Sequence, residues 1–544
     1  MTIPSDFSFS PTSIAYATLR LWALAQIAEA NHVEELRVVG ADATLNEVLT
    51  LWCKRTGRQI TIIAEDITSK DKSRNESIQL LIKRRLPPLV AGLAHLVLQY
   101  RYYFTANRPE LSSETTEGPA VTAVDYFASL DVGAAQQATY QSNLWGPLTP
   151  TLIQLGITVN WIHIEVACAA LPDVRSARSA IRGLNRGNDF SRHVLLQDYL
   201  TLRVAFKAAA QYLRIRRITK KVKNPLLWLD TVSALDVSPL VRSRLHSDLL
   251  GTGAARNALW LSLFEEALPS HTAEDACIYL MENQPWESAL LHARTTRGGG
   301  TNIGVAHVPV RTWDLRYARG SSTTSTKNGR TLPAPSRVAV IDPKSHDIMI
   351  ANGLEPSSIV KVEALRFLSR ASTTAATSSN RNRSFAHQRV LVFGEYDALM
   401  CAKQLEILEK LVPMVGDKYT FTFRPHPSKP MVQGSLPVGV SLSEAHTADE
   451  ELAECDVVLC SNVSTASLDA SLLGIPILMF RDGTGFNGSE LSAGPSVMHV
   501  NDRTEVIAAL GKLELRAGRR TTSQGYPMYL DIGLTKWRTL LDSL

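Results

Sequence analysis

Two short runs near the C-terminus carry the residue types that hold a phosphate. FRPHPS (423–428) brings Arg424 and His426 to the end of a strand-like run, next to Pro425 and Pro427. Proline fixes φ and removes a backbone donor, so such a loop has few conformations and its side chains keep one direction. A guanidinium and an imidazole there suit an oxyanion. CSNVSTASLDASLLGIP (460–476) ends a strand at Asn462 and opens a helix near Ser464. Free backbone N–H groups and the positive end of a helix dipole would add to the hydroxyls of Ser461, Ser464 and Thr465. Together the two strand ends predict a cradle for a pyrophosphate or nucleotide phosphate. Singly, Ser464 reads equally as an N-cap and His426 as a surface loop residue.

A second cluster, Glu282-Asn283-Gln284-Pro285-Trp286-Glu287, follows an apolar strand-like run and opens a helix. A strand-end carboxylate facing a cleft can act as nucleophile or base, which makes Glu282 the first catalytic candidate and Glu287 the second. The amides of Asn283 and Gln284 can read sugar hydroxyls or a donor carboxylate, and Trp286 offers a flat apolar face. The alternative gives Glu287 to the first helical turn, where a negative charge is favoured, and Trp286 to the core. In GVAHVPVRTWDLRY (304–317) His307 ends another strand as a candidate base on an acceptor hydroxyl, with Arg311, Asp314 and Arg316 behind it. Arg311 or Arg316 can neutralise a substrate carboxylate. VTAVDYF (121–127) and SNLWGPL (142–148) add Asp125, Asn143 and Trp145 as acceptor-side contacts, with Asp125 equally able to serve as a cap.

These residues need a scaffold that delivers strand ends to one place. ELRVV (35–39), ITIIAED (60–66), VTAVDYF, TVNWIHIEV (158–166), CIYLMEN (277–283) and TNIGVAHV (301–308) read as strands separated by helical runs, with 190–267 mostly helical. A Ser/Thr/Gly/Pro-rich stretch follows, and SRVAVID (336–342) then opens a second series through 389–396, 419–427, 456–462, 475–480 and 496–500. Apolar strands alternating with helices predict parallel sheets covered on both faces. The expected architecture is α/β, with two Rossmann-like domains facing a central cleft. The N-terminal domain would cover 1–317 with a helical insertion, a linker 318–335, and the C-terminal domain 336–544. Residues 369–386 form a second low-complexity loop.

The 544 residues hold 57 Lys+Arg against 52 Asp+Glu and are 45% hydrophobic, too apolar for a disordered chain and too weakly basic for a nucleic-acid coat. The six cysteines include no CxxC pair, which fits a reducing compartment and argues against a disulfide framework or zinc ribbon. MTIPSDFSFSPTS lacks the basic flank and apolar core of a signal peptide, so a cytoplasmic location is expected. There is no D-x-D, Walker A or HExxH, so no metal and no resident cofactor is called for. Two stretches, 82–104 and 213–229, combine basic and apolar residues; they suit either adsorption to the inner face of an anionic membrane or a solvated helix face beside a buried one.

An R-x-HP loop, then a serine-rich helix start and L-G-x-P, resembles the nucleotide-binding half of GT-B glycosyltransferases that use CMP- or CDP-activated donors. The pattern is similar to that of capsule and O-antigen transferases of Kdo and other ulosonic acids, and of polysialyltransferases. The chain also resembles bacterial surface-carbohydrate biosynthesis proteins in YLMENQPWE (279–287) and in Gly304-x-x-His307, with the similarity spanning about 270–510. The resemblance implies that Arg424 and His426 contact the donor phosphate, that Ser461, Asn462, Ser464 and Thr465 bind the same phosphate or the ribose, and that Gly394 lets the backbone approach the nucleotide. Glu395 and Tyr396 would line the base or sugar pocket. It further implies a metal-independent transferase of an acidic sugar, Kdo-like or nonulosonic, from a CMP-sugar to an oligosaccharide or lipid-linked glycan. The CMP-sugar is then a substrate, and no nucleic-acid partner is involved. The rivals are a CDP-polyol phosphotransferase of the teichoic-acid type, whose His-Gly pair reads His307-Val308 here, a UDP-sugar epimerase, and a non-catalytic glycan-binding scaffold.

Overall fold

The computed structural model describes residues 14–39, 43–63, 86–104, 120–127, 130, 132–136, 139–142, 144–168, 170–186, 191–221, 235–268, 276–318, 332–370, 388–427, 429–445, 447–481, 487–514 and 526–544. Near-continuous apolar runs such as ACIYL and VVLCS have every residue buried, which only a sheet covered on both faces permits. Two such sheets form, and every strand pair in both is parallel.

The first sheet has seven strands: β3 (Ala120–Tyr126), β4 (Thr158–Ile164), β5 (Ser191–Leu195), β6 (Ala276–Leu280), β7 (Asn302–Val305), β8 (Arg337–Val340) and β9 (Ile359–Lys361), in the order β5-β4-β3-β6-β7-β8-β9. The second has six: β10 (Gln388–Phe393), β11 (Tyr419–Arg424), β12 (Val440–Leu442), β13 (Val457–Ser461), β14 (Ile477–Phe480) and β15 (Val497–Val500), in the order β12-β11-β10-β13-β14-β15. This is the α/β architecture of two parallel sheets that the sequence predicts. β1 (Glu35–Val39) and β2 (Gln59–Ile63) do not join the first sheet. They pair with each other beside α1 (Ile14–Ala30) and α2 (Ala43–Thr56), around a small core that includes Leu21, Ala25, Trp52 and Leu235.

Three further expectations are corrected. β8 and β9 extend the first sheet, so the first domain continues past the stretch read as a linker, of which 319–331 lie outside the described residues. The second sheet starts only at Gln388, after the low-complexity loop, whose residues 371–386 are also outside them. SRHVL, read as part of a helical region, is the edge strand β5; pairing with β4 overrides a weak local pattern. The last helix, α9 (Thr535–Leu541), returns to the first domain: backbone N–H groups of Lys536 and Trp537 donate to the buried Glu363 carboxylate, and Trp537 packs edge-on against Trp145.

On the helical side of the first sheet, α5 (Thr252–Ala267) packs against α6 (Pro285–Thr296), and two outer helices, α3 (Pro88–Tyr103) and α4 (Leu202–Lys221), lie over α5. One apolar core runs from these helices through the first sheet into one face of the second, reaching Val458, Cys460 and Leu468 near α7 (Ala448–Glu454) and α8 (Ala466–Leu472).

Candidate active site at the carboxyl edges of the two sheets

In a parallel sheet all strands end on the same edge, and ligands collect there. The two carboxyl edges meet. From the loop after β7, Arg311 donates to Glu490 at 2.6 Å and to the Val463 carbonyl, just past β13, at 2.8 Å. Lys344 donates to the Glu490 carbonyl at 3.0 Å. From the segment after β9, Arg366 donates to Thr465 at 3.3 Å, and Arg370 pairs with Asp469 at 3.1 Å and with Asp449. Arg311, expected at a substrate carboxylate, joins the two domains through these bonds. Thr465, expected on the phosphate, is the acceptor for Arg366.

On the first edge, Glu282 follows β6 and His307 follows β7, with His307 Nε2 3.7 Å from Glu282 Oε1. Burial raises the Glu282 carboxyl pKa, with Arg316 opposing the shift and Asp314 adding to it. His307 is pushed down to about 3 by burial and by the charges of Arg366 and Arg316, so its ring is neutral. Its Nδ1 is buried with no hydrogen-bond partner among the described residues, as is Nδ2 of Asn283. Buried polar atoms are nearly always paired, so two orphans beside a carboxylate mark a place where a ligand's polar groups fit. Asn283 has φ of 56°, in the left-handed region that asparagine tolerates better than most residues. Arg316 grips Asp314 through two bonds of 2.8 and 2.6 Å. A cavity of about 10 Å³ beside His307, lined also by Arg366, Glu363 and Trp145, has room for no more than one water.

Glu287 lies elsewhere in the logic of the site. Its Oε1 accepts the backbone N–H groups of Glu282 (2.9 Å) and Gln284 (2.7 Å), closing the turn that opens α6. It is buried and pushed up to about 8, chiefly by desolvation. It positions Glu282 and does not face the cleft as a second catalytic carboxylate. Gln284 is the N-cap residue of α6, bound to Glu287 through its backbone. Trp286 is in the core, donating to the Tyr126 hydroxyl at 2.6 Å. Asp125 and Trp145 are core residues as well, and Asn143 lies outside the described residues. Asp125 is 2.6 Å from His163 Nδ1 and accepts from Tyr140 at 2.9 Å, while Trp145 packs on Trp161.

On the second edge most expected ligands hold the fold. Arg424 donates at 3.1 Å to Ser443, to the Ala445 carbonyl and to Glu451, which ties β11 to the loop after β12 and to α7. Gly394 is required by packing: a Cβ there would meet the Phe423 ring at 2.7 Å. Glu395 is buried and accepts from the Ser461 hydroxyl and from the Tyr396 backbone at 2.9 Å. Ser464 turns the chain into α8, a helix of seven residues, by accepting from Ala466 N–H at 3.4 Å; Asn462 is buried at the end of β13. His426 is half-buried, 6.0 Å from the Tyr396 ring, and Glu395 opposes the lowering of its pKa by burial. Glu395, at the end of the intervening strand β10, thus links the His426 loop to Ser461.

Arg366 and Glu490 were not singled out in the sequence. Neither sits in a motif, and each gains its role only from the opposite domain. Among the described residues no group of three or more His, Cys, Asp or Glu is placed to hold a metal, and no helix is long and apolar enough to cross a membrane.

No family profile and no curated protein matches the sequence. Solved structures similar to this chain include a UDP-GlcNAc 2-epimerase from Neisseria meningitidis bound to UDP-GlcNAc, at 10% identity and TM-score 0.40, covering 78% of this chain and 99% of that one. The UDP-GlcNAc 2-epimerase of Methanocaldococcus jannaschii gives 10% and 0.42 over the same shares. CalG4, the calicheamicin glycosyltransferase, gives 12% and 0.40 over 74% of this chain and 92% of its own. Likeness at this level says nothing about the activity of this chain.

Proposed function

We propose that the chain is a glycosyltransferase acting between its two domains, moving an acidic, ulosonic-type sugar from a CMP-activated donor to a hydroxyl of a surface glycan. The observation that carries this reading is the meeting of Glu282, the neutral His307 and the cation Arg366 at the carboxyl edge of the first sheet, where that edge touches the second. The choice of CMP and of an acidic sugar rests on the sequence pattern at 423–428 and 460–476. In the reaction the acceptor oxygen bonds to the anomeric carbon, the bond from that carbon to the phosphate oxygen breaks, and its electron pair leaves with CMP. An imidazole as hard to protonate as that of His307 is a weak base. Proton acceptance therefore falls to Glu282, whose raised pKa brings it nearer the working pH. His307 orients the acceptor through its unpaired ring nitrogen, and Arg366 faces the negative charge of the donor.

The test is nucleotide release from CMP-, CDP- and UDP-sugars, with and without a glycan acceptor. Acceptor-dependent release of CMP is expected. Conversion of a UDP-sugar without acceptor, transfer of a CDP-polyol, or glycan binding with no release from any donor would each overturn the proposal in favour of a rival.

A further inference from the structure

α3 and α4 form the outermost layer of the first domain. Both rest their inner faces on α5: Gly92, Leu96 and Tyr103 of α3 and Val204, Ala208 and Tyr212 of α4 are buried, and a side chain at Gly92 would collide with Tyr212. The Tyr212 hydroxyl lies 2.9 Å from the Pro88 carbonyl and 2.8 Å from the Leu250 carbonyl and shares its one proton between them, which pins the two helices together. Two helices seated side by side on a third turn their opposite faces to the same side of the molecule.

That outer face has an unusual make-up. Neither α3 nor α4 contains an Asp or Glu. α3 exposes Val90, Val97, Leu98 and Tyr102, with Val97 57% exposed; α4 exposes Phe206, Leu213 and Ile218, with Phe206 73% exposed. Between them stand Arg101, Arg203, Arg214, Arg217, Lys220 and Lys221, all exposed and none in an ion pair among the described residues. The two other α4 cations turn inward, Lys207 to Glu265 at 2.7 Å and Arg216 to the Leu250 carbonyl. The layer also touches the carboxyl edge of the first sheet, because the Tyr103 hydroxyl donates to Glu165, just past β4, at 2.6 Å.

We infer that this face docks on an anionic lipid bilayer. Interleaved cations and apolar side chains match a bilayer interface, where phosphates meet acyl chains. A nucleic acid would satisfy the cations but leave Phe206, Leu98 and Val97 in water. A second copy of the same face would set like charges against each other. Docking would hold the carboxyl edge of the first sheet close to the membrane, and it does not depend on which donor the cleft takes.

The experiment is co-sedimentation of the full chain with vesicles of phosphatidylcholine alone and with added phosphatidylglycerol, at low and high salt. Binding is expected only with phosphatidylglycerol and falls with salt. Arg214→Glu with Arg217→Glu should weaken it at least ~30-fold. Val97→Asp with Leu98→Asp should weaken it as well, while thermal melting stays unchanged because these side chains are exposed. Equal binding of the charge-reversed and parent chains overturns the inference. So does stronger binding to RNA than to vesicles, or a dimer in sedimentation velocity that the same substitutions dissociate. Nucleotide release with a soluble acceptor, measured on the same variants, separates loss of docking from loss of the reaction.

Discussion

The carboxyl edges of the two sheets differ in which of the expected site residues already have partners inside the protein. On the second edge, Arg424, Ser461, Glu395 and Thr465 all have partners inside the protein. On the first, Glu282 lies just beyond hydrogen-bonding distance of His307, and His307 Nδ1 and Asn283 Nδ2 have no partner among the described residues. A residue already committed to the fold has little left to give a substrate, while a buried polar atom without a partner is costly unless something fills the place. This contrast supports the proposed placing of the reaction at the first edge, while the second edge carries the half-buried His426.

The sharpest way to break this contrast is Glu282→Gln. Transfer should fall by at least ~10³-fold with nucleotide affinity kept, read by single-turnover transfer and by calorimetric binding. A rate within tenfold of the parent would move the reaction away from the first edge. Arg424→Ala tests the other side. It strips two bonds from the loop after β12 and the ion pair with Glu451 of α7, which should cost about 3 kcal/mol in denaturant unfolding. A selective rise in donor KM at unchanged stability would return Arg424 to the phosphate. Gly394→Ala drives a methyl into Phe423 and should cost about 2 kcal/mol by the same measurement; a stable variant with weakened nucleotide binding would restore the close-approach role.

Glu287→Gln should have the smallest effect. Glutamine can still accept the two N–H bonds through its carbonyl oxygen, so transfer should fall far less than in Glu282→Gln. The change shows in pH dependence. Between the ordinary carboxyl pKa of 4.5 and about 8 the folded state binds a proton at Glu287 that the unfolded state has lost. The parent therefore loses stability as pH rises through that window, and the variant lacks this loss. Parallel stability curves for the two proteins would show that Glu287 is not held protonated.

Much of the scaffold was legible in the sequence because it is local. Runs such as ACIYL, VVLCS and ILMF are apolar at every position and bounded by turn residues, so strands and a covered parallel sheet follow from composition and spacing. The positions of Glu282 and His307 at strand ends came from the same reading. The strand SRHVL was not legible, because a short, partly polar edge strand is fixed by its neighbour β4 and not by its own pattern. Asp125 was hidden for a similar reason: a carboxylate on a strand looks like a surface group until His163 and Tyr140 close around it.

By itself the sequence determined the element types, the two parallel sheets and the set of titratable residues at their ends, since these depend on periodicity and on proline, glycine and serine chemistry along a few consecutive positions. Only the tertiary structure decided which of those residues have partners inside the fold. It also decided that β8, β9 and α9 belong to the first domain. Hydrogen-bond partners, burial and the pKa shifts they cause are set by groups far apart in the chain, such as Arg311 with Glu490 and Arg366 with Thr465, and no local pattern records them.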